Sequence, residues 1–137
     1  MKLSRAILAA GLVPIAAGQA AAIDLTIVSW GGAYSHSQQM AYHEPYMAAN
    51  PGVKIINDES GSEAVAKLRA MKEAGNITWD LIDVEAADGI RMCDEGLVKT
   101  IDFDKELAPA SDGTSARQDF GDTIVAECFI PEIAFST

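Results

Sequence analysis

The chain has 137 residues, and its 20 acidic against 10 basic side chains give a formal charge of −10. Such a surface repels phosphate backbones, which argues against nucleic acid as a partner. The length allows one modest hydrophobic core, and the two cysteines match no zinc-binding spacing.

The first 22 residues read as a secretory signal peptide. Lys2 and Arg5 give a basic start, and Ala6 to Ala17 is apolar apart from Gly11 and Pro14. The small-residue tract Gly18 to Ala22 ends in three alanines, which suits cleavage after Ala22. The apolar run of about 12 residues is short of the roughly 20 that cross a bilayer. An uncleaved anchor or a buried core helix is the plainer alternative, and the charge order and alanine-rich end argue against both. Cleavage would leave 115 residues, Ile23 to Thr137, carrying all 20 acids but only eight of the basic residues, a net charge of −12. That charge suits a cationic ligand, although most of it needs no explanation beyond solubility. Export also places Cys93 and Cys128 in an oxidising compartment, where one disulfide is expected, two free buried thiols being the alternative.

Taken in chain order, Asp24 to Val28 is an apolar, β-branched run and predicts a first strand. Ser29 to Tyr34 follows as a loop in which Gly31 and Gly32 let the backbone turn. A helical segment is expected from Ser35 with Met40, His43 and Met47 on one face, kinked or restarted at Pro45. Asn50-Pro51-Gly52 is a stop and turn signal before a second strand, Val53 to Ile56. Ser60 or Ser62 can cap a helix over Glu63 to Ala74, with Ala64, Val65, Leu68 and Met71 as its buried stripe and Gly75-Asn76 as its end. Trp79 to Val84 predicts a third strand, and Ala86 to Glu95 a third helix closed by Gly96. Leu97 to Phe103 reads as extended and Asp104 to Gln118 as loop with a short helical turn. Ile124-Val125-Ala126 and Ile133 to Ser136 read as further strand-like pieces.

The β-α-β-α-β-α order predicts an α/β fold: an open, mostly parallel sheet with helices on both faces and right-handed crossovers. Thr137 falls in or just after an apolar strand, so the expectation is the front portion of a longer protein.

Ligands of open parallel sheets bind beyond the carboxyl ends of the strands. The predicted loops there are Ser29 to Tyr34, Asp58 to Ser62 and Glu85 to Asp88. They supply aromatics, hydroxyls and the acids Asp58, Glu59, Glu85 and Asp88, a half-site suited to an alkylamine through cation–π and carboxylate contacts. Each acid taken alone more readily reads as a favourable charge at a helix N-terminus. Trp30, Gly31, Gly32, Tyr34, Ser60 and Glu85 are the candidate ligand-binding residues. No dinucleotide fingerprint, P-loop or nucleophile elbow occurs, so neither catalytic residues nor a cofactor is predicted. His36 and His43, seven apart with Gln39 between them, would be two metal ligands without a third. They read as surface or packing residues, and no metal is expected.

The segments Ser29-Trp30-Gly31-Gly32-Ala33-Tyr34, Ala64-Val65-Ala66-Lys67-Leu68, Trp79-Asp80-Leu81-Ile82-Asp83-Val84 and Cys93-Asp94-Glu95-Gly96-Leu97, behind a signal peptide, resemble periplasmic substrate-binding proteins of ABC transporters. The spermidine/putrescine-binding type is the nearest match, and the resemblance runs over nearly all of residues 23–137. It implies a type II periplasmic-binding-protein fold of two hinged α/β lobes, this chain holding an incomplete first lobe, with Trp30 and Tyr34 in the cleft. It further implies a periplasmic monomer, not an enzyme, that hands a small cationic amine to a membrane permease. The polyamine binders carry an aromatic three residues after the tryptophan, whereas Tyr34 stands four after Trp30. Competing readings are the same transport role for an amino-acid derivative, a thiamine-like compound or ferric iron, an exported α/β enzyme, and a structural or adhesive exported domain.

Overall fold

The computed structural model describes residues 22–131. The predicted signal peptide up to residue 21 and the strand-like piece Ile133 to Ser136 lie outside them. Three parallel strands make an open sheet: β1 (Ile23–Val28), β2 (Val53–Asp58) and β3 (Leu81–Ile82), in the order β2-β1-β3. β1 pairs with β2 along its whole length, Ile23 opposite Val53 through Val28 opposite Asp58, and with β3 at Ile27–Leu81 and Val28–Ile82. The helices are α1 (Gly32–Gln38), α2 (Glu44–Ala49), α3 (Ala64–Ala74), α4 (Ala86–Asp94) and α5 (Ala116–Phe120). The fold is therefore α/β with a parallel open sheet.

The core lies where α3 and α4 pack on the sheet. Val28, Ala64, Leu68, Trp79 and Met92 are buried together, flanked by Val65, Met71, Ile82, Val84, Leu97 and Val98. The expected stripe of α3 is thus its packed face. Gly75 ends α3 in the left-handed conformation (φ 66°), with its N–H on Lys72 O and the Asn76 N–H on Met71 O.

Several elements depart from expectation. The first helix starts at Gly32, not Ser35, because Gly31 and Gly32, at φ 86° and 58°, make the turn between them and the chain coils at once. A single π-helical turn, Gln39–His43, then joins α1 to α2. Pro45 does sit in the first turn of a second short helix, α2, as expected, where its missing N–H costs little. The extra residue in that turn shifts the helical phase. Met40 is exposed while Ser35, Gln38 and His43 are buried, and the predicted Met40/His43/Met47 face does not form. Met47 instead covers the outer edge of β2, its sulfur accepting the Ile55 N–H at 3.2 Å.

No serine side chain caps the next helix: Gly61–Glu63 is a 3₁₀ turn leading into α3, and the Ser60 hydroxyl is turned back to Asp58. The third strand is shorter than Trp79 to Val84. Asp80 competes with the ladder, its carboxylate accepting the Thr26 N–H at 2.8 Å while its own N–H donates to Thr26 O. Ile124 to Ala126 is not a strand; Val125 is exposed there.

The segment after α4 is held by local contacts. Phe103 is fully buried, meets Phe120 edge-on at 6.0 Å, and lies under the Arg117 guanidinium at 5.7 Å. Arg117 also pairs with Asp104 and Glu127, each at 2.9 Å. The expected disulfide is present, Cys93 to Cys128 with Cα atoms 5.8 Å apart, and it ties the segment around Cys128 to α4. One turn earlier on α4, the Phe129 ring rests on Gly89, where an added Cβ would come within 3.1 Å of it.

Candidate functional site

Because the strands are parallel, Val28, Asp58 and Ile82 end at the same edge of the sheet. The chain leaves β1 for β2 on one side, then passes β1 to reach β3 on the other. That reversal between β1 and β3 is where an open α/β sheet leaves a crevice.

Ser29 stands at its centre. Its N–H donates to Asp58 O at 2.8 Å, its carbonyl accepts the Gly61 N–H at 2.9 Å, and the neighbouring Val28 carbonyl accepts the Asp83 N–H at 2.9 Å. Gly61 must be glycine for this approach, since a Cβ there would sit 2.7 Å from Ser29 O. The Ser29 hydroxyl donates to Gln38 Oε1 at 2.5 Å, and Gln38 Nε2 donates to Asp83 Oδ2 at 3.0 Å. A buried hydroxyl and a buried amide thus connect the end of β1 to the carboxylate following β3.

The six predicted ligand-binding residues distribute around this edge. Trp30 is 41% exposed, so its indole is offered to solvent and not to the core. Gly31 donates its N–H to Ser35 Oγ at 2.9 Å, and the Glu59 carboxylate lies against it, 3.1 Å from where a Cβ would stand. Gly32 opens α1 with free space about it, and Tyr34 is half-buried on the same helix. Ser60 is committed to a turn: its N–H (2.9 Å) and its hydroxyl both donate to Asp58 Oδ1. Glu85 is exposed at the start of α4, and its carbonyl accepts the Asp88 and Gly89 N–H groups.

Asp58 is a structural acid. The Ser60 hydroxyl above all, then the Ser60 N–H and the Trp79 indole, hold its carboxyl below the usual range against the opposing effect of burial. His36 is exposed and His43 is 7% exposed, on different faces of the same segment.

Sequence reasoning did not single out Gln38 or Asp83. Asp83 read as part of the third strand, and only the strand order reveals that it follows β3 at the reversal. Two surface depressions, of about 570 and 240 Å³, run along α3 and α4 around Arg69, the smaller reaching Ser62 and Asp88 of the carboxyl-edge loops. Most of their charged lining is paired: Arg69 binds Glu95 through two nitrogens, and Lys72 donates to the Glu95 and Gly96 carbonyls. They are solvated ion-pair surface, whereas the carboxyl edge carries the aromatic and the acids.

The profile of the family described as bacterial extracellular solute-binding protein matches residues 41–130. The chain belongs to this family. It is 37% identical over 92 residues to the gamma-aminobutyric acid-binding protein of Pseudomonas aeruginosa, covering 67% of this chain and 26% of that one. A solved structure of the PBP AgtB from A. tumefaciens R10, in complex with agropinic acid, superposes with a TM-score of 0.52 at 39% identity, covering 59% of this chain and 25% of that one. The chain thus spans about a quarter of the length of these relatives. Family membership bears out the bacterial solute-binding resemblance without selecting its polyamine branch.

Proposed function

We propose that this chain is the front part of the first lobe of a periplasmic solute-binding protein, residues 1–22 being its signal peptide. Its role is to capture a small amine-bearing solute and pass it to an ABC-transporter permease, binding without catalysis. The observation that carries this reading is the carboxyl edge of the sheet. There an exposed indole, Trp30, precedes Gly31, against which the Glu59 carboxylate lies, and Asp83 follows the neighbouring strand. Aromatic faces and carboxylates together suit a protonated amine.

An amino-acid derivative is the favoured solute class, because a relative sharing 37% identity is named for gamma-aminobutyric acid. A polyamine is the second reading, favoured by the excess of acids over basic residues. Trp30, Gly31, Gly32 and Tyr34 are proposed to line the cleft, with Ser60 and Glu85 at its margins. A second lobe would complete the enclosure, as in hinged binders generally.

Titration calorimetry of the native-length protein with γ-aminobutyrate, putrescine and spermidine tests this. Saturable binding of at least one amine is expected. No heat and no rise in melting temperature with any of the three would overturn the reading.

A further inference from the structure

The chain Ser29–Gln38–Asp83 is more than packing. Gln38 is buried on α1, yet its amide is spent on the carboxylate at the β1–β3 reversal and on the hydroxyl at the end of β1. The bonding fixes the amide's sense: a carboxylate only accepts, so Nε2 faces Asp83 and Oε1 receives the Ser29 hydroxyl. Only Asp83 Oδ2 is occupied by Gln38, and among the described residues no lysine, arginine or histidine pairs with Asp83. Glu59 and Glu85 at this edge are exposed, and the two remaining acids are already bonded. Asp58 is saturated by Ser60 and Trp79, and Asp88 pairs with Arg91 at 3.5 Å. Asp83 is half-buried, and a half-buried carboxylate with one neutral donor and no cation is suited to a positive group arriving from outside.

We propose that Asp83 receives the protonated nitrogen of the solute, and that Gln38 is the positioning residue that fixes its carboxylate toward the crevice. This rests on the amine-binding reading above and adds to it the residue that selects for charge. Ser29 completes the arrangement by holding the far end of the Gln38 amide, so the first loop and the third strand present one rigid acceptor.

The test compares γ-aminobutyrate, putrescine and spermidine with γ-hydroxybutyrate, which replaces the amine of the first by a hydroxyl. It uses native-length wild type and the variants Asp83→Asn, Asp83→Ser and Gln38→Leu. For whichever amine the wild type binds, both Asp83 variants are expected to weaken affinity more than tenfold. Any binding of γ-hydroxybutyrate should change less than threefold. Gln38→Leu should weaken the amine about tenfold and likewise spare the hydroxyl analogue, a selectivity that a purely structural loss would not produce. Two Asp83 variants are used so that a folding defect in one leaves the other to decide. Unchanged amine affinity in a folded Asp83 variant, or equal losses for amine and hydroxyl ligands, would overturn the proposal while leaving amine binding intact. A wild type that takes up none of the amines would overturn both.

Discussion

The Trp79 indole N–H donates to Asp58 Oδ2 at 3.0 Å, tying the segment entering β3 to the end of β2 across the intervening β1. Trp79 is 8% exposed, so its ring fills the core while its one polar atom closes the Asp58 turn. Trp79→Phe keeps most of the ring and removes the donor. A loss of about 1 kcal/mol is expected, the usual net worth of such a bond where water can partly replace it. Urea unfolding measures it, and an unchanged midpoint would show that the bond contributes nothing.

Trp30 is the opposite case, a tryptophan that the fold leaves in solvent. Trp30→Ala is expected to lower solute affinity more than tenfold, about 1.4 kcal/mol, with only a small shift in melting. A large stability loss with unchanged affinity would make it a structural residue.

The disulfide closes a loop of 35 residues in sequence separation between α4 and the chain after α5. In the chain-entropy account a loop of this size stabilises by about 3–4 kcal/mol. Cys93→Ser with Cys128→Ser should lose about that much by denaturant titration. Mass spectrometry of the unreduced protein should find no free thiol, and two free thiols would refute the bond.

Gly61→Ala tests the close approach of the two loops. Its Cβ would meet backbone atoms of Ser29 at 2.7 and 2.9 Å, which no side-chain rotation relieves. Overpacking of this kind costs about 1–3 kcal/mol, and the displacement of Ser29 should also weaken solute binding. Wild-type melting and affinity together would show that the loops are not in contact.

Acid should act in part through Asp58. Its folded pKa lies below the unfolded value of 3.8, so the folded state holds its proton less tightly. The resulting stability is fully present above pH ~4 and fades as pH falls through the lower folded value. Glu95, Asp102, Glu106 and Asp112 are lowered as well and share the slope. Unfolding measured between pH 6 and pH 2 should therefore be less steep for Asp58→Asn than for wild type. Identical slopes would mean that Asp58 titrates alike in both states.

What the sequence made legible was whatever a local pattern encodes. β1 and β2 are β-branched runs, α3 carries an apolar stripe and ends on a glycine, and the pairing of two cysteines in a chain that reads as exported needs no geometry. Where it misled, a local pattern met a competing partner. Trp79 to Val84 reads as a strand, but the Asp80 carboxylate takes a backbone donor of β1, so only Leu81–Ile82 forms the regular ladder, while the Asp80 and Asp83 N–H groups still donate to Thr26 O and Val28 O. Ile124 to Ala126 is apolar, yet three residues carry too little periodicity to separate a strand from a loop. The site was half-visible for the same reason. Trp30 and the glycines announce themselves as a loop, whereas Asp83 acquires its position only from the order in which distant strands assemble.

The π-helical turn at Gln39–His43 sets a constraint on length more than on composition. Each residue of a helix advances the chain by about 100°. Dropping one residue from this stretch would let α1 and α2 run together as a single α-helix. Gln38 would then swing by about that angle relative to α2, taking its amide away from both Ser29 and Asp83. Side chains between positions 39 and 42 are free to drift over evolution, but a gap there would uncouple the first loop from the third strand. Related sequences that keep an equivalent of Gln38 are expected to carry this stretch without insertion or deletion.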